Sequence, residues 1–446
     1  MIWAIANLQS GLEAHGVRLV VMPGNQKEQH VTLAYANSPM KTPTTLSLAV
    51  TMICAFASIP RIFALFLFLG VAACGVGDPG RSAVDTGKPA TNALDPGKAG
   101  QNSSINVAML LPLTGDYADV SKSMQRAAQM AVLEIRNKEL NVLFFDTGGT
   151  PQGAVDAVEK AIAGGAKLII GPLFRETVIA VKQKAAEADL NVVAFSNSES
   201  VAGDNVFLLS FLLRQQVDRI VQYAAEKGIN EIGVLAPESI TGEQIVIYAR
   251  EAAARYGATI TKAGYYSGDM LQMTAQIKTF AAGQPFTGVL IHAGGSSLRT
   301  LVSFLAFNDV LQPQVRYLGT SLWEHSSIWT ESNLRGGWFS ATDPEARGRF
   351  VDRYEQFFKE KPVRLASLAY DAIALAATLA SNVNHAETNP YTKDALTDAR
   401  GFFGSAGLFR FTKNGLIERG LAVLEVAVDD FQVIGLPRNA FTIPTN

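Results

Sequence analysis

Hydrophobic positions in the first half of the folded part of the chain alternate between short continuous runs and helical spacing. In one stretch, apolar residues recur at intervals of four, three, four and four, which is the period of an amphipathic helix. These residues are Val120, Met124, Ala127, Ala131 and Ile135. The continuous runs predict strands at 105–111, 141–146, 167–170 and 192–195, and two further helices are predicted at 154–163 and 176–188. This alternation predicts a parallel sheet covered by helices on both faces.

A second series of the same kind begins near residue 214. It predicts helices at 215–227, 242–256, 270–282 and 296–307, and strands at 231–236, 258–261, 288–293 and 316–320. Two successive α/β units of similar build predict two lobes that face each other. A cleft between two lobes is a common place for a small ligand.

The most apolar stretch lies near the N-terminus and indicates where the protein is located. Arg61 precedes an apolar run at 62–73 that ends at Cys74, which is the layout of a bacterial secretory signal. The run is shorter than the roughly 20 residues of a membrane span, although an uncleaved signal anchor is the alternative. Because signals are normally N-terminal, translation is predicted to begin at Met40 or Met52.

The segment after Cys74 is rich in Gly, Pro, Ser, Thr, Asp and Lys, and this composition predicts a flexible tether. The predicted organisation has four parts. They are a doubtful upstream extension at 1–51, a signal peptide at 52–73, the cysteine and tether at 74–104, and a folded domain at 105–446.

Composition narrows the range of functions. The chain has 446 residues, of which 48% are apolar and 17% charged, so a large core is available, and the formal net charge of -2 argues against a strongly basic nucleic-acid binder. Both cysteines lie in the first 80 residues, which excludes a disulfide framework in the main body. A search for a dinucleotide fingerprint, a P-loop, a His-Glu-x-x-His motif and a nucleophile elbow finds none. We therefore expect no enzyme activity, no cofactor and no metal site.

Short motifs in a fixed order then indicate a family. They are the segments 111–115 (LPLTG), 169–172 (IIGP), 195–198 (FSNS), 317–323 (YLGTSLW), 369–375 (AYDAIAL) and 407–415 (GLFRFTKNG). In this order they resemble the type I periplasmic binding proteins, specifically the branched-chain amino-acid receptors. The resemblance implies an α/β fold of two Rossmann-like lobes with a hinge and an interlobe cleft. The first lobe would comprise about 105–211 and 341–405, and the second about 212–340 and 406–430.

A narrower resemblance rests mainly on the predicted signal peptide and the residues that follow it. Residues 71–74 (VAAC) resemble a lipobox, and together with the tether and 319–323 (GTSLW) they look like the penicillin-binding protein activators. This implies a non-catalytic lipoprotein with lipid on Cys74, anchored in the outer membrane of a Gram-negative bacterium and facing the periplasm, because Gly75 rather than Asp follows the cysteine. The implied partner is a class A penicillin-binding protein. Two alternatives remain: a receptor for an amino acid or other small ligand that serves an ABC importer, and a sensor of muropeptides.

Type I receptors hold an amino-acid carboxylate with hydroxyls and backbone N–H groups at strand-to-helix turns. By position, the first-lobe candidates are Thr114, Arg175, Thr177, Ser196, Asn197 and Ser198. Each has a structural alternative: the serines suit turns, Thr177 suits a helix cap, and Arg175 suits pairing with Glu176 at a solvated helix start.

In the second lobe, the candidates by position are Glu238, Thr241, His292 and Trp323. Glu238 is a candidate partner for a ligand ammonium group, and its structural alternative is an acid in an exposed loop. Thr241 stands where relatives carry an aromatic residue. His292 and Trp323 are candidates for the lining of the cleft. The structural alternatives are a hydrogen-bonded polar group for His292 and a packed core residue for Trp323.

Overall fold

The structure is a computed structural model that describes residues 17–21, 31–35 and 104–442, apart from 138, 284–285 and 382–388. The chain divides into two units, Met1–Asn92 and Ala93–Asn446. In the first unit, β1 (Val17–Val21) and β2 (Val31–Tyr35) pair antiparallel. The predicted signal peptide, Cys74 and the tether up to residue 103 lie outside the described residues.

The first lobe contains a sheet of five parallel strands. Thr150 shows why one of its helices begins where it does, since its hydroxyl accepts a hydrogen bond from the Gly153 N–H at 3.1 Å. In chain order the elements are β3 (Ile105–Leu111), α1 (Ala118–Ile135), β4 (Leu140–Asp146), α2 (Pro151–Ala163), β5 (Ala166–Ile170), α3 (Arg175–Glu187), β6 (Val192–Ala194) and β7 (Val206–Leu208). The strands of the sheet lie in the order β4-β3-β5-β6-β7.

The second lobe repeats this arrangement. Its elements are α4 (Leu213–Glu226), β8 (Glu231–Pro237), α5 (Ile240–Tyr256), β9 (Thr259–Tyr266), α6 (Met270–Ala281), β10 (Gly288–Ile291), α7 (Gly295–Phe307), β11 (Arg316–Gly319) and β12 (Trp338–Ala341). The five strands are parallel in the order β9-β8-β10-β11-β12, which is the order of the first sheet. The two-lobed α/β fold predicted from the alternation is confirmed.

The last quarter of the chain, from residue 344 onward, returns to both lobes. It contains α8 (Pro344–Phe358), α9 (Ala366–Ala380), α10 (Lys393–Leu396), β13 (Phe402–Gly404), β14 (Gly407–Phe411), β15 (Ile417–Arg419), β16 (Ala422–Val426) and β17 (Phe431–Gly435). Helix α9 packs on α1 of the first lobe. Strands β16 and β17 extend the second sheet antiparallel beyond β12.

The predicted lobe boundary at residues 405 and 406 differs from the structure. Phe409, Phe411 and Ile417 are buried in the hydrophobic core of the first lobe, and the rings of Phe207 and Phe411 lie 5.6 Å apart. The backbone also joins there, because the Leu208 N–H donates to the Gly415 carbonyl at 2.8 Å. The hairpin therefore belongs to the first lobe, and the chain crosses back near Gly420.

The chain thus passes between the lobes near 212, 342 and 420, and these three crossings form the hinge. The Arg419 Nε atom donates to the Ser210 carbonyl at 3.0 Å and so ties two of the crossings together. In the ranges that the structure describes, no helix is both long and apolar enough to cross a membrane.

Candidate functional site

The carboxyl ends of the parallel strands carry most of the predicted site residues. Because parallel strands end at the same edge of a sheet, the loops after β3, β5 and β6 lie together in the first lobe, and those after β8, β10 and β11 in the second. Residues just past two of these strands reach the opposite lobe. Glu199 pairs with Arg214 at 3.0 Å, and Glu324 with Arg364 at 3.3 Å. Both edges therefore border the cleft between the lobes.

Thr114 is exposed at the end of β3, where an aspartate holds it. Its hydroxyl donates to Asp146 Oδ2 at 2.6 Å, and Oδ1 accepts the N–H groups of Leu113 and Gly148, each at 2.8 Å. Partial burial acts to raise the pKa of Asp146, but these hydrogen bonds lower it below its usual value. Asp146 stabilises this turn, a role that the sequence analysis missed, and the Thr114 oxygen keeps only its acceptor capacity for a ligand.

At the start of α3, Thr177 has a structural role, whereas Arg175 remains available to a ligand. Thr177 is buried, and its hydroxyl donates to the Phe174 carbonyl at 2.8 Å while accepting the Phe174 N–H at 3.2 Å. It therefore caps the helix and does not face the cleft, which corrects its assignment as a ligand residue. Arg175 is half-exposed, and its Nη1 atom lies 3.4 Å from Glu176 Oε1.

A chain of hydroxyl groups follows β6. The Ser198 N–H donates to the Ser196 hydroxyl at 3.2 Å, the hydroxyls of Ser198 and Ser200 lie 3.0 Å apart, and Arg175 Nε donates to the Ser200 hydroxyl at 3.4 Å. Ser196 is buried beneath this network, whereas Asn197 and Ser200 are exposed. The structure thus brings Arg175 and Ser198 together through Ser200, a residue that the sequence analysis did not select.

An aromatic pair lies beside these polar groups. The ring centroids of Tyr117 and Phe174 are 4.5 Å apart, and Tyr117 is 49% exposed although it is a large aromatic residue. Tyr117 follows β3, and Phe174 immediately precedes Arg175. The first-lobe edge therefore presents an apolar surface next to a cation and hydroxyl groups.

In the second lobe, Glu238 and Thr241 flank the start of α5 and are exposed. The intervening Ser239 caps the helix, because its hydroxyl accepts the Gly242 N–H at 3.2 Å. Glu238 forms no salt bridge within the described part of the chain, so its carboxylate remains available to a ligand cation.

His292 lies deeper, at the end of β10. Its Nδ1 atom is 3.2 Å from the hydroxyl of the buried Thr320, and its carbonyl accepts the Tyr266 hydroxyl at 2.8 Å. Burial lowers the pKa of His292 to about 4, because the charged imidazolium is poorly solvated there. At neutral pH this side chain is uncharged, so it offers hydrogen bonds and no counter-charge.

Trp323 does not line the cleft, and its assignment as a ligand residue was wrong. It is fully buried in the second-lobe core, with its ring centroid 6.1 Å from that of Phe339. The ring lies directly over Gly319, where a Cβ atom would approach it to 2.3 Å. Leu322 points outward instead and is 43% exposed.

Charged groups also connect the lobes beside the hinge. Glu324 is nearly buried and pairs with Arg347 at 3.2 Å and Arg364 at 3.3 Å, both from the first lobe. The Arg364 Nη1 atom further donates to the Ser321 carbonyl at 3.3 Å. Across the described ranges, no three His, Cys, Asp or Glu side chains lie close enough to hold a metal ion.

Comparison with known proteins establishes the family. The profile of the family described as "Periplasmic binding protein" matches residues 104–431. The chain belongs to the periplasmic binding protein family. Members of this family are typically non-enzymatic, periplasmic ligand-binding proteins.

Solved structures of the family share the fold at low sequence identity. A branched-chain amino acid ABC transporter periplasmic ligand-binding protein from Burkholderia xenovorans is 13% identical, with a TM-score of 0.60 over 74% of this chain and 95% of that one. The LivJ substrate-binding protein from Streptococcus pneumoniae, solved with isoleucine, is 18% identical, with a TM-score of 0.52 over 74% of this chain and 99% of that one. A solute binding protein from Rhodopseudomonas palustris, solved with 3,4-dihydroxybenzoic acid, is 15% identical, with a TM-score of 0.56 over 76% of this chain and 97% of that one.

Curated relatives match only in part. The penicillin-binding protein activator LpoA of Photobacterium profundum is 33% identical over 98 residues, which is 22% of this chain and 16% of that protein. The Leu/Ile/Val-binding protein BraC3 of Rhizobium johnstonii is 32% identical over 92 residues, which is 19% of this chain and 25% of that protein. This chain therefore covers a quarter or less of the length of these two relatives.

Proposed function

We propose that this periplasmic binding protein holds a small organic carboxylate in the cleft between its lobes and delivers it to an ABC importer. The observation that carries the proposal is the position of Arg175. It begins α3 at the carboxyl edge of the first sheet, donates to Ser200, and adjoins the exposed Tyr117–Phe174 pair.

These groups suit the two ends of an amphipathic ligand. A carboxylate would accept hydrogen bonds from Arg175 and from the Ser198–Ser200 hydroxyls, and the partial positive charge at the start of α3 would favour it. The apolar part of the ligand would lie on Tyr117 and Phe174. The ligands named for two related structures, isoleucine and 3,4-dihydroxybenzoic acid, both combine a carboxylate with an apolar body.

Calorimetric titration of the purified protein with leucine, isoleucine, benzoate and 3,4-dihydroxybenzoate tests this proposal. We expect saturable binding of at least one of them. Arg175→Gln should weaken it by about 10- to 100-fold, because hydrogen bonds to charged groups contribute about 1.5–3 kcal/mol.

Arg335→Gln is the matched control for this experiment. Arg335 is an exposed arginine just before β12, at the amino edge of the second sheet and away from the cleft. Binding that is weakened equally by both substitutions would contradict a site at Arg175. A titration without heat for the whole panel would remove the carboxylate receptor.

The second candidate function is activation of a class A penicillin-binding protein from an outer-membrane lipid anchor on Cys74. The partial match to the activator LpoA and the VAAC sequence at 71–74 favour it. Membrane fractionation combined with affinity capture of a class A synthase separates the candidates. An importer receptor must reach an inner-membrane permease, whereas an activator is expected in the outer-membrane fraction and should retain the synthase.

A further inference from the structure

A second cavity lies at the hinge. Its volume is about 330 Å³, which is within the range of small-molecule sites. Helix α4 forms one wall, the β14–β15 hairpin another, and the segment after β17 the third. None of the candidate ligand residues of the cleft lines it, so its contents are independent of the proposed carboxylate site.

The lining of this hinge cavity is strongly basic. Five arginines line it, but only two acids do, Asp218 and Glu418. Both acids are already neutralised. Asp218 pairs with Arg255 and accepts the Tyr256 hydroxyl at 2.8 Å, and Glu418 accepts Arg410 Nε at 2.6 Å. The other arginines of the lining are Arg214, Arg219, Arg419 and Arg438.

Two of these arginines have a carboxylate partner and two do not. Arg214 pairs with Glu199 and Glu251, and Arg419 lies 4.0 Å from Asp371. Arg219 and Arg438 form no salt bridge in the part of the chain that the structure describes. The cavity therefore carries two cations without a salt-bridge partner among the described residues.

Arg219 is held in place although it forms no salt bridge among the described residues. Its Nε atom donates to the Leu421 carbonyl at 3.0 Å. Its Nη2 atom packs closely on Gly435, because a Cβ atom added to that glycine would lie only 3.0 Å away. Partial burial lowers the pKa of Arg219, the negative charge of Glu226 on the same helix acts to raise it, and the positive charge of Arg438 acts to lower it. Two like charges held across a cavity repel each other, and an anion between them would relieve that repulsion.

The segment that carries Arg438 spans both lobes. It leaves β17 in the second lobe and passes over the hinge. There the Arg438 carbonyl packs so closely on Gly420 that a side chain at position 420 would clash with it. It then reaches the first lobe, where the Phe441 ring is buried beneath the Arg410 guanidinium at 4.4 Å. A group bound to both Arg219 and Arg438 would thus connect this segment to α4.

We propose that the hinge cavity is a second binding site, specific for a small oxyanion, phosphate or carboxylate, held between Arg219 and Arg438. The two guanidinium groups supply planar pairs of donors that match such oxygens. The anion contacts parts of the chain that move relative to each other when the lobes change their angle. Its binding therefore biases the angle between the lobes.

Calorimetric titration with inorganic phosphate and with succinate, at constant ionic strength in chloride, tests this site. The titrations use the full chain carrying Arg175→Gln, which weakens carboxylate binding in the cleft, and binding at the hinge is recognised by its dependence on Arg438. We expect saturable binding of one or both probes, and the probe that binds identifies the class of oxyanion. Arg438→Gln should weaken binding by at least about tenfold, equivalent to the loss of 1.4 kcal/mol.

Two further variants make the result decisive. Arg219→Gln should have a similar effect, and if this half-buried change prevents folding, the exposed Arg438 still tests the site. Arg335→Gln, at the opposite end of the second sheet, should leave the affinity unchanged. The proposal is overturned if neither probe binds up to about 10 mM, well above a 1 mM dissociation constant. It is equally overturned if Arg438→Gln and Arg335→Gln behave alike.

Discussion

Charged residues at the rim of the cleft and charged residues at the hinge have opposite surroundings. At the rim, the side chains of Arg175 and Glu176 are 51% and 64% exposed and lie 3.4 Å apart. At the hinge, Arg419 and Asp371 are 2% and 0% exposed. Asp371 Oδ1 accepts the Ser405 hydroxyl at 2.7 Å, and Arg419 lies over the Phe211 ring at 4.9 Å.

This difference assigns different roles to the same residue types. An exposed pair contributes little to stability, and each partner can exchange the other for a ligand. A buried pair cannot lose one member without leaving an uncompensated charge. Burial lowers the pKa of Arg419 to about 10, although the Asp371 carboxylate acts in the opposite direction. We therefore regard the hinge pair as structural and the rim pair as available for recognition.

The largest expected effect comes from breaking the hinge pair. Asp371→Asn keeps the shape of the side chain but leaves the Arg419 charge buried without a counter-ion. We expect a loss of about 3–5 kcal/mol in the free energy of unfolding, measured by urea titration.

Asp398→Asn is the control for this change. Asp398 pairs with Arg400 at 2.6 Å on the surface of the same lobe, where the Arg400 side chain is 78% exposed. The same substitution should cost less than about 1 kcal/mol there. Equal losses at the two positions would show that burial does not distinguish these pairs.

The sequence predicted the fold well because alternating apolar runs and helical spacing are local signals. It assigned no strand to β7 or β12, and it ended the strand at 258–261 whereas β9 continues to Tyr266. The hairpin at 407–419 was assigned to the wrong lobe. Only the packing of Phe409 and Phe411 in the first-lobe core reveals its position.

The site was less predictable because a position in the chain does not fix the direction of a side chain. Thr177 and Trp323 follow strands as expected, yet one caps a helix and the other packs in a core. Glu324 and Asp371 appear in the sequence as ordinary acids, although their partners lie far away in the chain. Residues joined by tertiary contacts alone leave no local pattern.

A pH titration sharpens the comparison between exposed and buried charged groups. His292 lies in the cleft, yet it is poorly solvated like the charged residues of the hinge. With a pKa of about 4, the folded protein leaves this imidazole unprotonated between pH 6.5 and 4, whereas the unfolded chain protonates it. Its contribution to stability is therefore complete above pH 6.5 and is lost as the pH falls towards 4. The free energy of unfolding falls by about 3 kcal/mol over this pH range.

His292→Gln should remove this part of the acid sensitivity in urea titrations performed between pH 4 and 7. The exposed His325 provides the control, and His325→Gln should keep the full pH dependence. An unchanged slope in His292→Gln would mean that the floor of the cleft is solvated like its rim.

The smallest expected effect concerns the exposed pair itself. Glu176→Gln should change the free energy of unfolding by less than about 1 kcal/mol. It should nevertheless raise the affinity for a carboxylate ligand about two- to fourfold, because a repulsive charge some 5 Å away in water contributes just under 1 kcal/mol. Glu187→Gln, at the other end of α3, should change neither quantity. Calorimetry with the tightest carboxylate of the panel measures the difference, and weaker binding in Glu176→Gln would mean that Glu176 itself contacts the ligand.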